Sequence, residues 1–252
     1  METLGKGIAF AGFLASMLLA LELGWRLGRR RLHRDPAGAQ IGVGALEGAI
    51  FGLMGLLIAF TFSGAAARFD GRRELLLKET NVIGTAWLRL DLLPAPVRDE
   101  LRADMRKYVD LRLAATKTHA TEADAAITAL ERQMWARAVG SVQEARDARF
   151  GTLVLPALNE MFDVATARYL ASQTHPPGVI YALLLILALV CALLAGHGMA
   201  GGKRRSWLHI LLFVGSLLMA IYVIVEIEFP RRGLVRIDRY DQLLVDLRQS
   251  MR

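Results

Sequence analysis

Four stretches of this chain are apolar at almost every position, while the remainder carries charge at short intervals. The apolar stretches run from about Gly7 to Leu23, Val43 to Phe62, Val179 to Ala195 and Leu208 to Val225. Each approaches the roughly 20 residues that a helix needs to cross a bilayer. The long stretch between the second and third has another rhythm. Phe69, Leu76, Val82, Ile83, Ala86, Leu90 and Leu93 recur near helical spacing. "PAPV" (94–97) then interrupts, because proline lacks a donor and disfavours helix before it. A second helix is predicted from about Val97, with Asp99 and Glu100 in its first turn, where the macrodipole favours acids. A third starts after "THAT", with Thr121 as N-cap and Asp124 three residues on, a weaker form of the capping box. A fourth spans about 151–172, bent at Pro156 and ended by "THPPG". No useful run alternates with the two-residue period of a strand.

These elements predict an all-α membrane protein. Two transmembrane hairpins, 1–63 and 177–229, flank a four-helix soluble insert, 64–176, and a basic tail, 230–252, follows. The first apolar stretch is expected to remain as a span. Glu2 spoils the basic start of a secretory signal, and no small-x-small cleavage site follows. Between the second span and the insert, "FTFSGAAARFDGRR" (60–73) passes from lipid-compatible to charged with no firm stop beyond Gly64. One helix is therefore expected from about Val43 to Leu93, roughly 75 Å at 1.5 Å per residue.

Composition sharpens this picture. The chain is 54% hydrophobic yet 22% charged, with a net charge of +7. Both values hold together because the two residue classes are segregated. The basic residues gather at span edges and on the insert, which suits anionic headgroups and not nucleic acid. Trp25 and Trp207 stand at the edges that carry the hairpin connections, where amphipathic rings anchor. Cys191, the single cysteine, falls mid-span and reads as a small apolar filler. The five histidines show no zinc-type spacing, and "GHGMAGGK" lacks the spacing of a phosphate loop. No motif of nucleophilic catalysis is present, so neither an enzyme nor a cofactor nor a metal is expected. Lys and Arg near the span ends are nearly balanced between the two sides. The first span, taken alone, places its arginine-rich C-terminal end inside and the insert outside the cytoplasm.

The second span carries Gly44, Gly48, Gly52, Gly55 and Ala59 on a common side. Small residues let helices approach closely in lipid, so this face is expected to pack against another helix, of the same chain or of a neighbouring subunit. Past it, Phe60 and Phe62 lie about 200° apart on the helix, so both cannot line one narrow wall. Thr61 and Ser63 supply hydroxyls that can bond back to preceding carbonyls. Acids sit at both membrane edges: Glu22 and Glu47 on the connection side, Glu226 and Glu228 on the far side, level with Arg68, Arg72 and Arg73. Two readings stay open for them, an ion path or ring of charge in an assembly, and interfacial placement with local pairing.

Four stretches carry a resemblance: "ELGWRLGRRR" (22–31), "GLLIAFTFSGAAARFDGRR" (55–73), "KETNVIGTAWLRLDLLP" (78–94) and "EIEFPRRGLVRI" (226–237). Their order and spacing are similar to an uncharacterised bacterial membrane family described as bestrophin-like. Bestrophins are pentameric anion channels with a hydrophobic neck on the second membrane helix and a cytosolic helical domain. The resemblance implies a homo-oligomer in a bacterial inner membrane, crossing it several times, with lipids and ions as partners. It makes Ile58, Phe60, Thr61, Phe62 and Ser63 neck candidates. Two features depart from that pattern: membrane-edge acids favour cations over chloride, and the charge count does not favour a cytosolic insert. The contrasting expectation is a membrane-anchored helical sensor or scaffold that conducts nothing.

Overall fold

The computed structural model describes residues 2–34, 43–118, 121–145, 148–202, 205–229 and 238–251. Among these residues the chain is helical and has no strand. In chain order the helices are α1 (Glu2–Arg34), α2 (Val43–Arg89), α3 (Ala95–Thr118), α4 (Thr121–Ala145), α5 (Ala148–Gln173), α6 (Gly178–Gly198), α7 (Trp207–Glu228) and α8 (Asp238–Ser250). Among the described residues, four helical stretches are long and apolar enough to cross a membrane. They correspond to the four apolar stretches of the sequence.

As expected, α2 is one unbroken helix of 47 residues. It ends four residues before Leu93, in a short 3-10 turn at Leu90–Leu92, just ahead of Pro94. The "TNVIG" segment leaves the helix intact, although Asn81 and Gly84 are weak helix formers. Gly84 faces Leu247 of α8, which a Cβ would approach to 3.6 Å. Packing therefore overrides propensity there.

The chain divides into two compact units, Met1–Ala67 with His175–Val235, and Arg68–Thr174 with Arg236–Arg252. In the first unit, α1 lies closely along α6. The reason is steric. A Cβ on Gly24 would stand 1.9 Å from the Leu193 carbonyl oxygen, and one on Gly196 would stand 2.0 Å from that of Leu21. A Cβ on Gly28 would meet that of Ala200 at 2.6 Å. Gly24 and Gly28 stand four apart, and Ala192, Gly196 and Ala200 repeat that interval on the facing segment. Such small-residue rows let backbones touch and so maximise dispersion contact in lipid. Around this contact Met17, Leu21, Ala192, Ile210 and Val214 are buried, and a second cluster forms about Met54, Ala65, Leu184, Ala188 and Ile221.

In the second unit the core gathers Ile83, Leu90, Leu101, Met105, Tyr108, Met134, Leu158 and Met161. Leu244 and Met251 of the C-terminal segment join it, so α8 is part of this unit. Arg248 holds it there through two bonds to Asp110, at 2.8 and 2.9 Å.

Candidate functional site

Within the first unit, the α2 segment that the sequence singles out has three sides. Met54 is buried, and Ile50, Phe51, Leu57 and Ile58 pack beside it against the core. A second side bears Gly44, Gly48, Gly52, Gly55 and Ala59, all exposed. No atom lies within 4 Å of where a Cβ would stand on these four glycines. Among the described residues, this row packs against no other helix of its own chain. The close packing of that kind belongs to Gly24, Gly28 and Gly196, which sequence reasoning passes over because they sit in or beside the basic connections.

A third side bears Leu53, Leu56 and Phe60, each more than half exposed. Their i, i+3, i+7 spacing puts them on one stripe. The neck candidates do not form one surface. Phe60 belongs to this third stripe. Ile58 turns inward, and Thr61 is half-buried, its hydroxyl donating to the carbonyls of Leu57 at 2.8 Å and Ile58 at 3.0 Å. Phe62 and Ser63 are exposed, with Phe62 on the other side from Phe60.

The membrane-edge acids have local partners. Glu22 accepts from Arg26 at 2.7 Å and pairs with Arg205 at 2.6 Å. Glu47 lies 3.6 Å from His197. Glu228 is fully buried, with His175 Nδ1 2.9 Å from its Oε1, and Phe229 lies against the His175 ring. Glu226 is also buried. Within one chain, Glu22, Glu47 and Glu228 each thus have a basic neighbour. Among the described residues, no group of His, Cys, Asp and Glu is arranged to hold a metal ion.

In the second unit, Arg72 is buried. It donates to the carbonyls of Ala171 at 3.0 Å and Thr174 at 2.9 Å, which closes the C-terminal end of α5. A cation there also offsets the negative pole of the helix. Arg73 bonds Asp70 at 3.0 Å and lies over the Phe69 ring. Arg68 is half-buried.

A second fully buried carboxylate, besides Glu228, is one that the sequence patterns above do not single out. Glu79 of α2 has no exposed surface. It accepts from Arg112 of α3 at 2.7 Å, and Arg168 of α5 bonds its other oxygen. Burial, the largest single influence, would pull the Arg112 pKa down, but the Glu79 carboxylate together with Tyr108 and Glu131 outweighs it and the net shift is upward. A signal is present in the spacing, since Glu79 stands among Leu76, Val82, Ile83 and Ala86 on the apolar face of its helix.

Comparison with known proteins fits this architecture. No curated protein matches the chain. A bacterial bestrophin homologue from Klebsiella pneumoniae, solved as a tryptophan-to-alanine mutant, superposes with a TM-score of 0.69. The match covers 95% of this chain and 97% of that one at 14% identity, which shows the shared fold. Residues 14–240 match the Bestrophin-like domain. With its helical spans and a match over nearly the whole chain, the protein belongs to the bestrophin-like family.

Proposed function

We propose that this protein is an ion channel, built as a ring of identical subunits in a bacterial inner membrane, with α2 lining the axis. The observation that carries this reading is the bareness of α2 on two unlike sides. In a closed ring of subunits, one side of the axial helix meets a neighbour and another faces the axis. The Gly48–Gly52–Gly55–Ala59 row supplies a flat surface for a neighbouring helix. The Leu53–Leu56–Phe60 stripe lies roughly a third of the circumference away, at about 100° per residue. Facing the axis, it would form an apolar constriction that gates by dewetting, with Phe60 at its narrowest level. Ser63 would stand at its mouth. Five subunits is the number that analogy with bestrophins gives.

Two experiments test this. Purified protein in liposomes should pass chloride, sodium or potassium, and Phe60→Ala should raise the flux severalfold by widening the constriction. Assembled particles that pass none of these ions would point instead to a membrane-anchored scaffold. Gly52→Leu should leave the chain folded, since among the described residues no atom lies within 4 Å of a Cβ there, and should reduce the particle to smaller species in size-exclusion with light scattering. A full-sized Gly52→Leu particle would remove this row from the contact.

A further inference from the structure

In the first unit, α2, α6 and α7 enclose a side-opening cavity of about 490 Å³. Gly55, at the border of the bare row of α2, forms its walls with Ile58, Cys191, Ala195, Phe213 and Leu217, and Met199 and His209 stand at one end. Its lining is apolar apart from His209, whose ring is engaged by the Ser206 hydroxyl. His209 lies in the first turn of α7. Leu217, eight residues on, is about 12 Å deeper along that helix. The cavity is thus a slot running from one membrane edge toward mid-span.

The edge at which it begins is basic. Arg26, Arg29, Arg30, Arg31 and Arg34 occupy the last turns of α1, and Arg205 stands two residues before α7. Among the described residues, the acids at this edge are Glu22 and Glu47. Glu22 is shared by Arg26 and Arg205, and Glu47 lies beside His197. The Trp25 ring has Arg29 at 4.9 Å and Arg205 at 3.7 Å from its centre. The arginines therefore outnumber the acids, and the surplus is anchored at the headgroup level by an aromatic ring.

An apolar slot opening into hydrocarbon gains contact energy only from an apolar filler, because water there lacks polar partners. We propose that this slot holds one acyl chain of an anionic phospholipid, with its phosphate against Arg205 and the α1 arginines. Basic pockets between spanning helices select acidic headgroups, and the volume falls in the usual range for bound small molecules. This inference rests on the membrane spans and not on conduction, so a protein that passes no ions would still bind the lipid.

The test uses the full-length protein, delipidated in mild detergent and then equilibrated with an equal mixture of phosphatidylglycerol and phosphatidylcholine. Native mass spectrometry should find one phosphatidylglycerol retained per chain, at least fivefold over phosphatidylcholine. Arg205→Gln should erase that preference. Ala195→Phe, which fills the slot, should reduce retention of either lipid at least fivefold, with helicity and particle size unchanged. If Ala195→Phe does not fold, Leu217→Trp fills the same slot from α7. Equal retention of the two lipids overturns the proposal. So does undiminished retention in the filled variant, or an assembled wild-type particle that retains no lipid because a neighbouring subunit occupies the slot.

Discussion

Gly196→Ala is expected to separate α1 from α6 and to destabilise the membrane unit by about 3 kcal/mol, the upper end of what overpacking costs. The new methyl group would stand 2.0 Å from the Leu21 carbonyl oxygen and 2.8 Å from its carbon. A flexible side chain could swing away, but here the obstacle is backbone held by its own helix, so the two helices must part. Their parting also loosens Met17, Leu21 and Ala192. Gly24→Ala should behave alike, because its methyl would collide with the Leu193 carbonyl. Gly12→Ala and Gly215→Ala are the controls. No atom lies within 4 Å of a Cβ at either site, so each should stay within about 0.5 kcal/mol of the parent. Thermal melts followed by helical circular dichroism in detergent would read all four. A Gly196→Ala protein that melts with the parent would contradict the close approach.

The second large effect is expected at Glu79. Glu79→Ala would strip Arg112 and Arg168, each with only about a tenth of its side chain exposed, of the buried carboxylate they share. Removing one partner from a buried ionic group typically costs about 3–5 kcal/mol. The loss should fall on the second unit, where α2, α3 and α5 meet at this carboxylate. Urea unfolding of the full-length protein would measure it through the fluorescence of Trp87 and Trp135, both in that unit. The triple substitution Glu79→Leu, Arg112→Leu and Arg168→Leu should recover much of the stability, because an apolar replacement of the whole group leaves no charge stranded. If Glu79→Ala alone unfolds like the parent, the carboxylate does not hold these helices together.

The parts of the architecture that depend on composition along the chain are legible in the order of the residues alone. Spans of near-continuous apolar residues admit few alternatives, since an unpaired backbone cannot survive in hydrocarbon. The passage of α2 from Ser63 through Gly64 into charged sequence is legible for a related reason: nothing there satisfies the broken end that a stop would create. The start of α4 falls at Thr121 itself, the residue the sequence marks as its N-cap. The C-terminal segment is less plain. Its positive charge suggests only a basic tail, whereas Leu244, Leu247 and Met251 at i, i+3 and i+7 mark a helix with a buried face.

Other features are hidden because they depend on which faces meet. The glycine row of α2 and the Gly24–Gly28 pair of α1 look alike as small-residue patterns, yet among the described residues only the second closes against another helix of the chain. Both satisfy the same local rule, and no local rule names the partner. The acids are ambiguous for the same reason. Glu22 and Glu228 read as charges in or near lipid until Arg205 and His175 are found beside them, far away in sequence. Sequence alone therefore determined the number of apolar helices, their order and the unbroken course of α2, because these follow from hydrogen bonding and hydrophobicity counted along one chain. Only the tertiary structure decided which small-residue row is an internal seam, which charges are paired and where Glu79 is buried. Those outcomes depend on distances between residues that the chain brings together only after it folds.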